Sequence, residues 1–76
     1  MSISVRFFAS VRERVGRSEA NVEVQGAIPV TVLWDKVTGM TRPPKLLVAI
    51  NQEYVDWEAV ASDGDEVGFF PPVTGG

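Results

Sequence analysis

Alternating apolar and polar positions near the start of the chain predict two strands. Ile3, Val5 and Phe7 lie on one side of an extended segment, and residues 20–25 repeat the alternation. A period of two is the spacing of a half-buried β-strand. The connector between them, ASVRERVG, predicts a short helix closed by Gly16. Because this connector is short, we expect the two strands to pair as an antiparallel hairpin.

The middle of the chain changes to a helical spacing. Thr31 has the side chain of a good helix N-cap. The apolar residues that follow share one helical face, at i, i+4 and i+7, and they are Leu33, Val37 and Met40. Gly39 and the pair Pro43–Pro44 predict the end of this helix. Several β-branched residues lower its intrinsic propensity, so we expect packing to hold it in place.

The second half of the chain begins with KLLVAI, a continuous apolar run over residues 45–50. Such a run is typical of a strand that is buried on both faces. Residues 51–53 predict a turn into a short strand at residues 54–55. Residues 58–62 favour a brief helical turn.

A last strand follows the turn-forming pair Asp63–Gly64. It spans residues 66–70 and places Val67 and Phe69 on one face. The two prolines at residues 71–72 end it, because proline has no N–H for a strand ladder.

These elements predict a single domain over residues 1–76 of the α+β class. One main helix packs on a mixed sheet, and an extended, flexible tail covers residues 71–76. By analogy of element order, this is a ubiquitin-like β-grasp. In that arrangement the first and last strands run parallel, side by side, at the centre of the sheet.

Composition narrows the chemistry that the chain can perform. Its 76 residues include neither Cys nor His, and the net charge is −3. Thiolate and imidazole metal ligands are therefore absent, as are a Cys nucleophile and a His general base. The acidic balance disfavours nucleic-acid binding and suits a basic protein partner. No signal peptide or membrane span is evident, so we expect no membrane partner and a cytoplasmic location.

The chain ends with FFPPVTGG, residues 69–76. A terminal glycine pair alone is equally consistent with a frayed end. Here, however, the strand delivers two prolines that fix an extended exit, and Val73 and Thr74 favour extended backbone as well. Such an arm could enter a narrow tunnel in a partner and present the carboxylate of Gly76. A carboxylate is a poor electrophile and needs activation, most simply as an acyl-adenylate.

Three stretches carry a resemblance to a known family: VRFFASVRERVG, VAINQEYV and SDGDEVGFFPPVTGG. They resemble the molybdopterin synthase small subunit, the MoaD-type sulfur carrier of the MoaD/ThiS family. The resemblance implies that an E1-like enzyme uses ATP to adenylate Gly76, and that a sulfur donor converts it to a thiocarboxylate. The chain itself would bind no cofactor or metal.

The resemblance also implies a partner and an order of events. The tail would insert into the large subunit of molybdopterin synthase and give its sulfur to cyclic pyranopterin monophosphate, on the way to the molybdenum cofactor. The small subunit would be non-catalytic, with the catalytic groups on the large subunit. The residues expected to contact the partner's tunnel are Phe70, Pro71, Pro72, Val73, Thr74 and Gly75.

Residues 27–45 depart from the family pattern, because family members usually carry a longer, Leu-rich helix there. This leaves the helix length and the loop at residues 41–44 open. Two alternatives to a molybdopterin carrier also stay open: a ubiquitin-like modifier or thiamine-type carrier that uses the same tail, and an interaction domain with an inert tail.

Other residue groups have two interpretations each. Arg12 and Arg14 could meet acidic groups on the activating enzyme, or form a solvated pair. Phe8 and Phe70 could share an outer partner-binding face or be covered by the helix, and we expect a split between these two situations, with Phe70 at the interface. The tryptophans, Trp34 and Trp57, belong either to the core or to its edge. The acidic residues around Gly64 suit a solvated turn better than a cation site.

Overall fold

The computed structural model describes residues 2–72, which form a mixed sheet, a small second sheet and two helices. In chain order the elements are β1 (Ser2–Phe7), α1 (Ala9–Val15), β2 (Glu19–Glu23), β3 (Ala27–Pro29), α2 (Val30–Thr38), β4 (Leu47–Ile50), β5 (Glu53–Val55), β6 (Val60–Ser62) and β7 (Glu66–Phe70). Neither helix is long and apolar enough to cross a bilayer.

The main sheet has the strand order β2-β1-β7-β4-β5, with β7 at its centre. β1 pairs with β2 in antiparallel register and with β7 in parallel register, so that Val5 lies beside Val67 and Phe7 beside Phe69. β4 pairs antiparallel with the other edge of β7. The predicted hairpin and the predicted parallel central pair are both confirmed. This is the ubiquitin-like β-grasp of the α+β class.

The core lies between the sheet and α2. The alternation in β1 buries Ile3, Val5 and Phe7 almost completely and leaves Ser4 and Arg6 exposed. α2 contributes its buried stripe at i, i+3, i+4 and i+7, which consists of Val30, Leu33, Trp34 and Val37. A stripe of this width is the face that a helix buries on a sheet.

α2 starts and ends differently from the prediction. Thr31 is not the N-cap, because Pro29 occupies that position and makes no side-chain cap bond. The backbone N–H of Val30 donates to the carbonyl of Ala59 at 3.0 Å, which satisfies one of the N–H groups that have no partner inside the helix. At the other end, Gly39 adopts φ 64° and closes the helix, so Met40 lies beyond it.

The two-stranded sheet formed by β3 and β6 was not predicted. β3 pairs antiparallel with β6, and Ile28 lies opposite Ala61, which is fully buried. The predicted helical turn over residues 58–62 is therefore wrong over its second half. The burial of Ala61 against the core favours the extended conformation at this point.

Two other strands are shorter than predicted. β2 ends at Glu23, because Glu23 pairs with Ser2, the first described residue of β1. β4 begins at Leu47 rather than at residue 45, because Lys45 has a positive φ of 65°. The predicted turn after β4 is confirmed in a tighter form, with Asn51 and Gln52 both at positive φ as in a type I′ hairpin turn.

Candidate functional site

The C-terminal residues 71–76, which we call the arm, follow directly on the central strand of the sheet. Phe70 is the last residue of β7 and pairs with Leu47, while the carbonyl of Phe69 accepts a hydrogen bond from Phe8 N–H at 3.1 Å. Pro71 is half-buried and Pro72 is exposed. Neither proline can extend the strand ladder. The chain is thus held by hydrogen bonds up to Phe70, and the arm begins immediately after it.

The buried side of β7 anchors the start of the arm in the core. Phe69 is fully buried, stacks on Trp57 at 5.7 Å between ring centroids, and meets the edge of Trp34 at 5.0 Å. Trp34 belongs to the core, whereas Trp57 is half-buried and lies at its edge. This aromatic cluster fixes the position of β7 relative to α2.

The opposite side of β7 carries an outer aromatic face, which consists of Phe8, Tyr54 and Phe70. The rings of Phe8 and Phe70 stack at 4.4 Å with 3° between their planes, and Tyr54 meets Phe70 edge-on at 5.7 Å. Phe8 and Phe70 are half-buried, and Tyr54 is 65% exposed. No helix covers this face among residues 2–72. The expected split is therefore wrong, because Phe8 and Phe70 share the outer face. The use of this face as an interface stays a prediction.

Gly68 makes this stacked pair possible, and the sequence reasoning missed it. A Cβ atom at Gly68 would lie 2.9 Å from the Phe70 ring and 3.0 Å from the Phe8 ring. The rings therefore lie directly on the backbone of β7, beside Ala49, the register partner of Gly68 in β4. A glycine inside an apolar strand, flanked by Phe69–Phe70, was the sequence feature that pointed to a close approach.

A groove lies beside the exit of the arm, and we call it the exit groove. Its volume is about 370 Å³, and it is lined by Ser10, Val11 and Arg14 of α1, by Pro43 and Leu46 of the loop before β4, and by Pro71 and Pro72. The loop wall is held by Trp57, whose indole N–H donates to the Leu46 carbonyl at 2.9 Å. The guanidinium of Arg42 lies over the Trp57 ring, 4.3 Å from the ring centroid.

The remaining predicted site residues fall into two groups. Arg12 is exposed on α1, and it does not line the exit groove. Val73, Thr74, Gly75 and Gly76 lie outside the described residues. Residues 2–72 contain no cluster of acidic side chains that could hold a metal ion. The sequence contains neither Cys nor His.

The geometry defines a class of protein: a β-grasp domain whose central strand leads directly into the C-terminal residues. The model of the ThiS family matches residues 5–76, which includes both the sheet and the arm. The chain belongs to the ThiS/MoaD family.

Two curated relatives match over nearly their whole length. The molybdopterin synthase sulfur carrier subunit of Escherichia coli is 42% identical, with 97% of this chain and 99% of the relative covered. The protein of the same description from Haemophilus influenzae is 40% identical, with the same shares covered.

Solved structures share the fold. The small archaeal modifier protein 1 of H. volcanii superposes with a TM-score of 0.78 at 24% identity, covering 95% of this chain and 98% of that one. A chain in the complex of subunits 1 and 2 of the molybdopterin-converting factor from Helicobacter pylori gives a TM-score of 0.67 at 22% identity, with both chains fully covered. These two likenesses concern the fold.

Proposed function

We propose that this chain is the sulfur carrier subunit of molybdopterin synthase. The observation that carries the proposal is the continuous match to relatives of that description, together with a family match that reaches Gly76. The structure supports it because the central strand β7 leads directly into the C-terminal residues that the family match includes.

The chemistry begins with activation of the terminal carboxylate. An oxygen of the Gly76 carboxylate attacks the α-phosphate of ATP on an E1-like enzyme and releases pyrophosphate. A hydrosulfide-type sulfur nucleophile, supplied by a sulfur donor, then attacks the acyl carbon and displaces AMP. The product is a thiocarboxylate at Gly76. Glycine suits this position, because the lack of a Cβ lets enzyme groups approach the reacting carbon.

The second stage takes place in the large subunit. The arm carries the thiocarboxylate to cyclic pyranopterin monophosphate, where the sulfur bonds to a carbon of the pterin side chain while the carbon–oxygen bond at that carbon breaks and its oxygen substituent leaves. Water then cleaves the acyl–sulfur bond and restores the Gly76 carboxylate. The residues of this chain position the sulfur, and the large subunit supplies the acid–base groups.

The outer aromatic face gives the large subunit an apolar surface to cover. Phe8 and Phe70 are already stacked, so little side-chain freedom is lost when they bind. Tyr54 adds an exposed ring with a polar tip, a residue type enriched in interfaces. Phe70 links this face to the arm, since it is the last residue of β7.

Intact-mass spectrometry tests the proposal directly. The full chain is incubated with the activating enzyme of its own organism, ATP and a sulfur source. We expect a mass gain equal to the exchange of one oxygen for one sulfur, and loss of that gain when the large subunit and the pterin are added. High-mass conjugates with other proteins would instead identify a modifier. An unchanged mass would refute the proposal, provided that the same enzyme preparation is shown to activate another carrier protein.

A variant that lacks Gly76 provides a second test by the same mass measurement. We expect the sulfur gain to be abolished, because the carboxylate of Gly75 lies one residue short of the reacting position. The domain should still fold, because Gly76 lies six residues beyond β7. A surface change of this kind alters the unfolding free energy by less than about 0.5 kcal/mol. The variant Gly76→Ala keeps the length and should retain a reduced rate.

A further inference from the structure

The turn before β7 contains a dipeptide whose chemistry the proposed function does not use. Asp63 is followed by Gly64, and no other Asp or Asn of the chain precedes a glycine. In such a pair the backbone nitrogen of the glycine can attack the carboxyl carbon of the preceding side chain, because no Cβ hinders the approach. Both residues are exposed, so water reaches the turn. Asp63–Gly64 is therefore the place in this chain where attack of the backbone on a side chain is least hindered.

This attack rearranges the backbone without changing the final mass. The Gly64 nitrogen bonds to the carboxyl carbon of Asp63, and one carboxyl oxygen leaves as water with the amide proton and the carboxyl proton. A succinimide ring remains. Water then adds to one of the two ring carbonyls and breaks the bond of that carbon to the nitrogen. Opening at the side-chain carbonyl restores aspartate, whereas opening at the main-chain carbonyl gives isoaspartate, whose Cβ lies in the backbone.

In the folded protein the backbone of Ser2 binds both reacting groups. Its N–H donates to Oδ1 of Asp63 at 2.8 Å, and its carbonyl accepts a hydrogen bond from the Gly64 N–H at 2.9 Å. We call these two hydrogen bonds the Ser2 clamp. Ring closure consumes the Gly64 N–H and turns the carboxyl group toward the nitrogen. The Ser2 clamp must therefore open before the reaction can occur.

Other hydrogen bonds close the turn without engaging the reacting groups. The Ser62 N–H donates to Oδ2 of Asp65 at 2.8 Å, and the Asp65 N–H donates to the Ser62 carbonyl at 3.0 Å. The side-chain amide of Asn51 donates to the second oxygen of the Asp65 carboxylate at 3.0 Å. The Ser2 clamp is thus the contact that controls the reacting atoms. It lies at the end of β1, and local opening costs least at the ends of elements.

We infer that Asp63 is a site of spontaneous isoaspartate formation, and that the Ser2 clamp suppresses the reaction in the folded protein. The inference does not depend on the proposed function. Isoaspartate lengthens the backbone by one atom shortly before β7. The contacts of Asp65 with the Ser62 backbone and with the Ser4 N–H then no longer fit together, so the modified protein should melt at a lower temperature.

Ageing of the full-length chain tests the inference, with Ser2→Ala as the matched control. Ser2→Pro removes the N–H of the clamp, whereas Ser2→Ala keeps it, and proline is tolerated at the first residue of a strand. The wild type and both variants are incubated at one pH and one temperature, in buffer and in denaturing urea. Peptide mass spectrometry with electron-transfer fragmentation locates the isoaspartate. An isoaspartyl methyltransferase with labelled S-adenosylmethionine measures its amount.

The two solvents and the two variants give distinct expected rates. In urea all three proteins should form isoaspartate at residue 63 equally fast, because the clamp is absent. In buffer the wild type and Ser2→Ala should react roughly twentyfold more slowly than in urea, since two hydrogen bonds must open. Ser2→Pro should react about fivefold faster than Ser2→Ala in buffer, because it has lost one of these bonds.

A second control separates opening of the clamp from unfolding of the whole domain. Val37 is buried on α2, and Val37→Ala destabilises the core without removing either bond of the clamp. We expect Val37→Ala to age like the wild type in buffer, with urea unfolding to verify that it is folded. Hydrogen exchange of the Gly64 amide reports opening of the clamp directly, and it should be slow in the wild type and faster in Ser2→Pro.

Each part of the inference has a result that would overturn it. Absence of isoaspartate at residue 63 in urea would remove the site. Equal rates in buffer and in urea, or equal rates for folded Ser2→Pro and Ser2→Ala in buffer, would remove the role of the clamp. An acceleration by Val37→Ala as large as that by Ser2→Pro would assign the reaction to global unfolding instead. If Ser2→Pro does not fold, the wild-type rates in the two solvents and the exchange of the Gly64 amide decide.

Discussion

Replacing Gly68 by alanine should destabilise the protein, although the same change in an ordinary strand would stabilise it. The added Cβ would lie 2.9 Å and 3.1 Å from two atoms of the Phe70 ring and 3.0 Å from one atom of the Phe8 ring. All three distances are shorter than normal van der Waals contact. The stacked pair must therefore lift from the backbone of β7, or the strand must shift between β1 and β4.

Two opposing effects set the size of the loss. Overpacking of a tightly packed site costs about 1–3 kcal/mol. Alanine recovers roughly 0.5–1 kcal/mol relative to glycine within a strand, because it loses less backbone freedom on folding. The expected net loss is on the order of 1 kcal/mol of unfolding free energy. For a domain of this size that corresponds to a decrease in melting temperature of about 4–8 °C.

A second background separates the ring clash from any effect of the backbone. In a Phe70→Ala protein the ring that approaches closest is absent and Phe8 has room to move, so Gly68→Ala should become neutral or slightly stabilising. In a Tyr54→Ala protein the loss should persist, because Tyr54 contacts Phe70 and not Gly68. Urea unfolding followed by tryptophan fluorescence reports all of these changes, since Trp34 and Trp57 both pack on Phe69. An equal loss in the wild-type and Phe70→Ala backgrounds would refute the reasoning.

Three further substitutions test the local structure. Gln52→Gly should raise the unfolding free energy by about 0.5 kcal/mol, because Gln52 has φ 70° in a type I′ turn that favours glycine. Gln52→Ala is the control, and it should give no gain in stability in urea unfolding. Gly39→Ala should lower the unfolding free energy by roughly 1 kcal/mol, since φ is 64° at this helix end. Gly39→Asn should lower it less, because Asn tolerates this conformation better, and thermal unfolding compares the two. Equal losses would contradict the explanation. Trp57→Phe should cost about 1 kcal/mol by leaving the Leu46 carbonyl without its donor, and hydrogen exchange in residues 39–46 should accelerate.

Strands β1 and β7 were predictable because their patterns of apolar and polar residues fit an extended strand and no other element. Ile3, Val5 and Phe7 alternate with residues that face outward, and β1 buries all three. β7 was equally clear, since the prolines after Phe70 fix its end. The parallel pairing of these strands followed from the analogy with the β-grasp order, not from the local pattern.

The errors lie where distant backbone groups decide the local structure. Thr31 is a good N-cap by type, but α2 begins at Val30, whose backbone N–H donates to the distant Ala59 carbonyl. β3 and β6 are three residues each and have no clear alternation, so only their mutual pairing defines them. The role of Gly68 could not be predicted, because the sequence does not show that the rings of Phe8 and Phe70 lie on its backbone. In the candidate site, the sequence indicated Phe70 and the prolines, while the exit groove depends on a loop and a helix that are about thirty residues apart.

The position of β7 has a consequence for the synthesis of the protein. Chains are made from the N-terminus, so β1 and β4 emerge from the ribosome before the strand that lies between them. Until residues 66–70 are free, both strands keep an unpaired edge, and unpaired edges promote aggregation. The sheet can therefore close only after residues 66–70 have left the ribosome. A truncated chain that lacks β7 would lose both its stable fold and its arm. Such a product would not compete with the intact protein for partners.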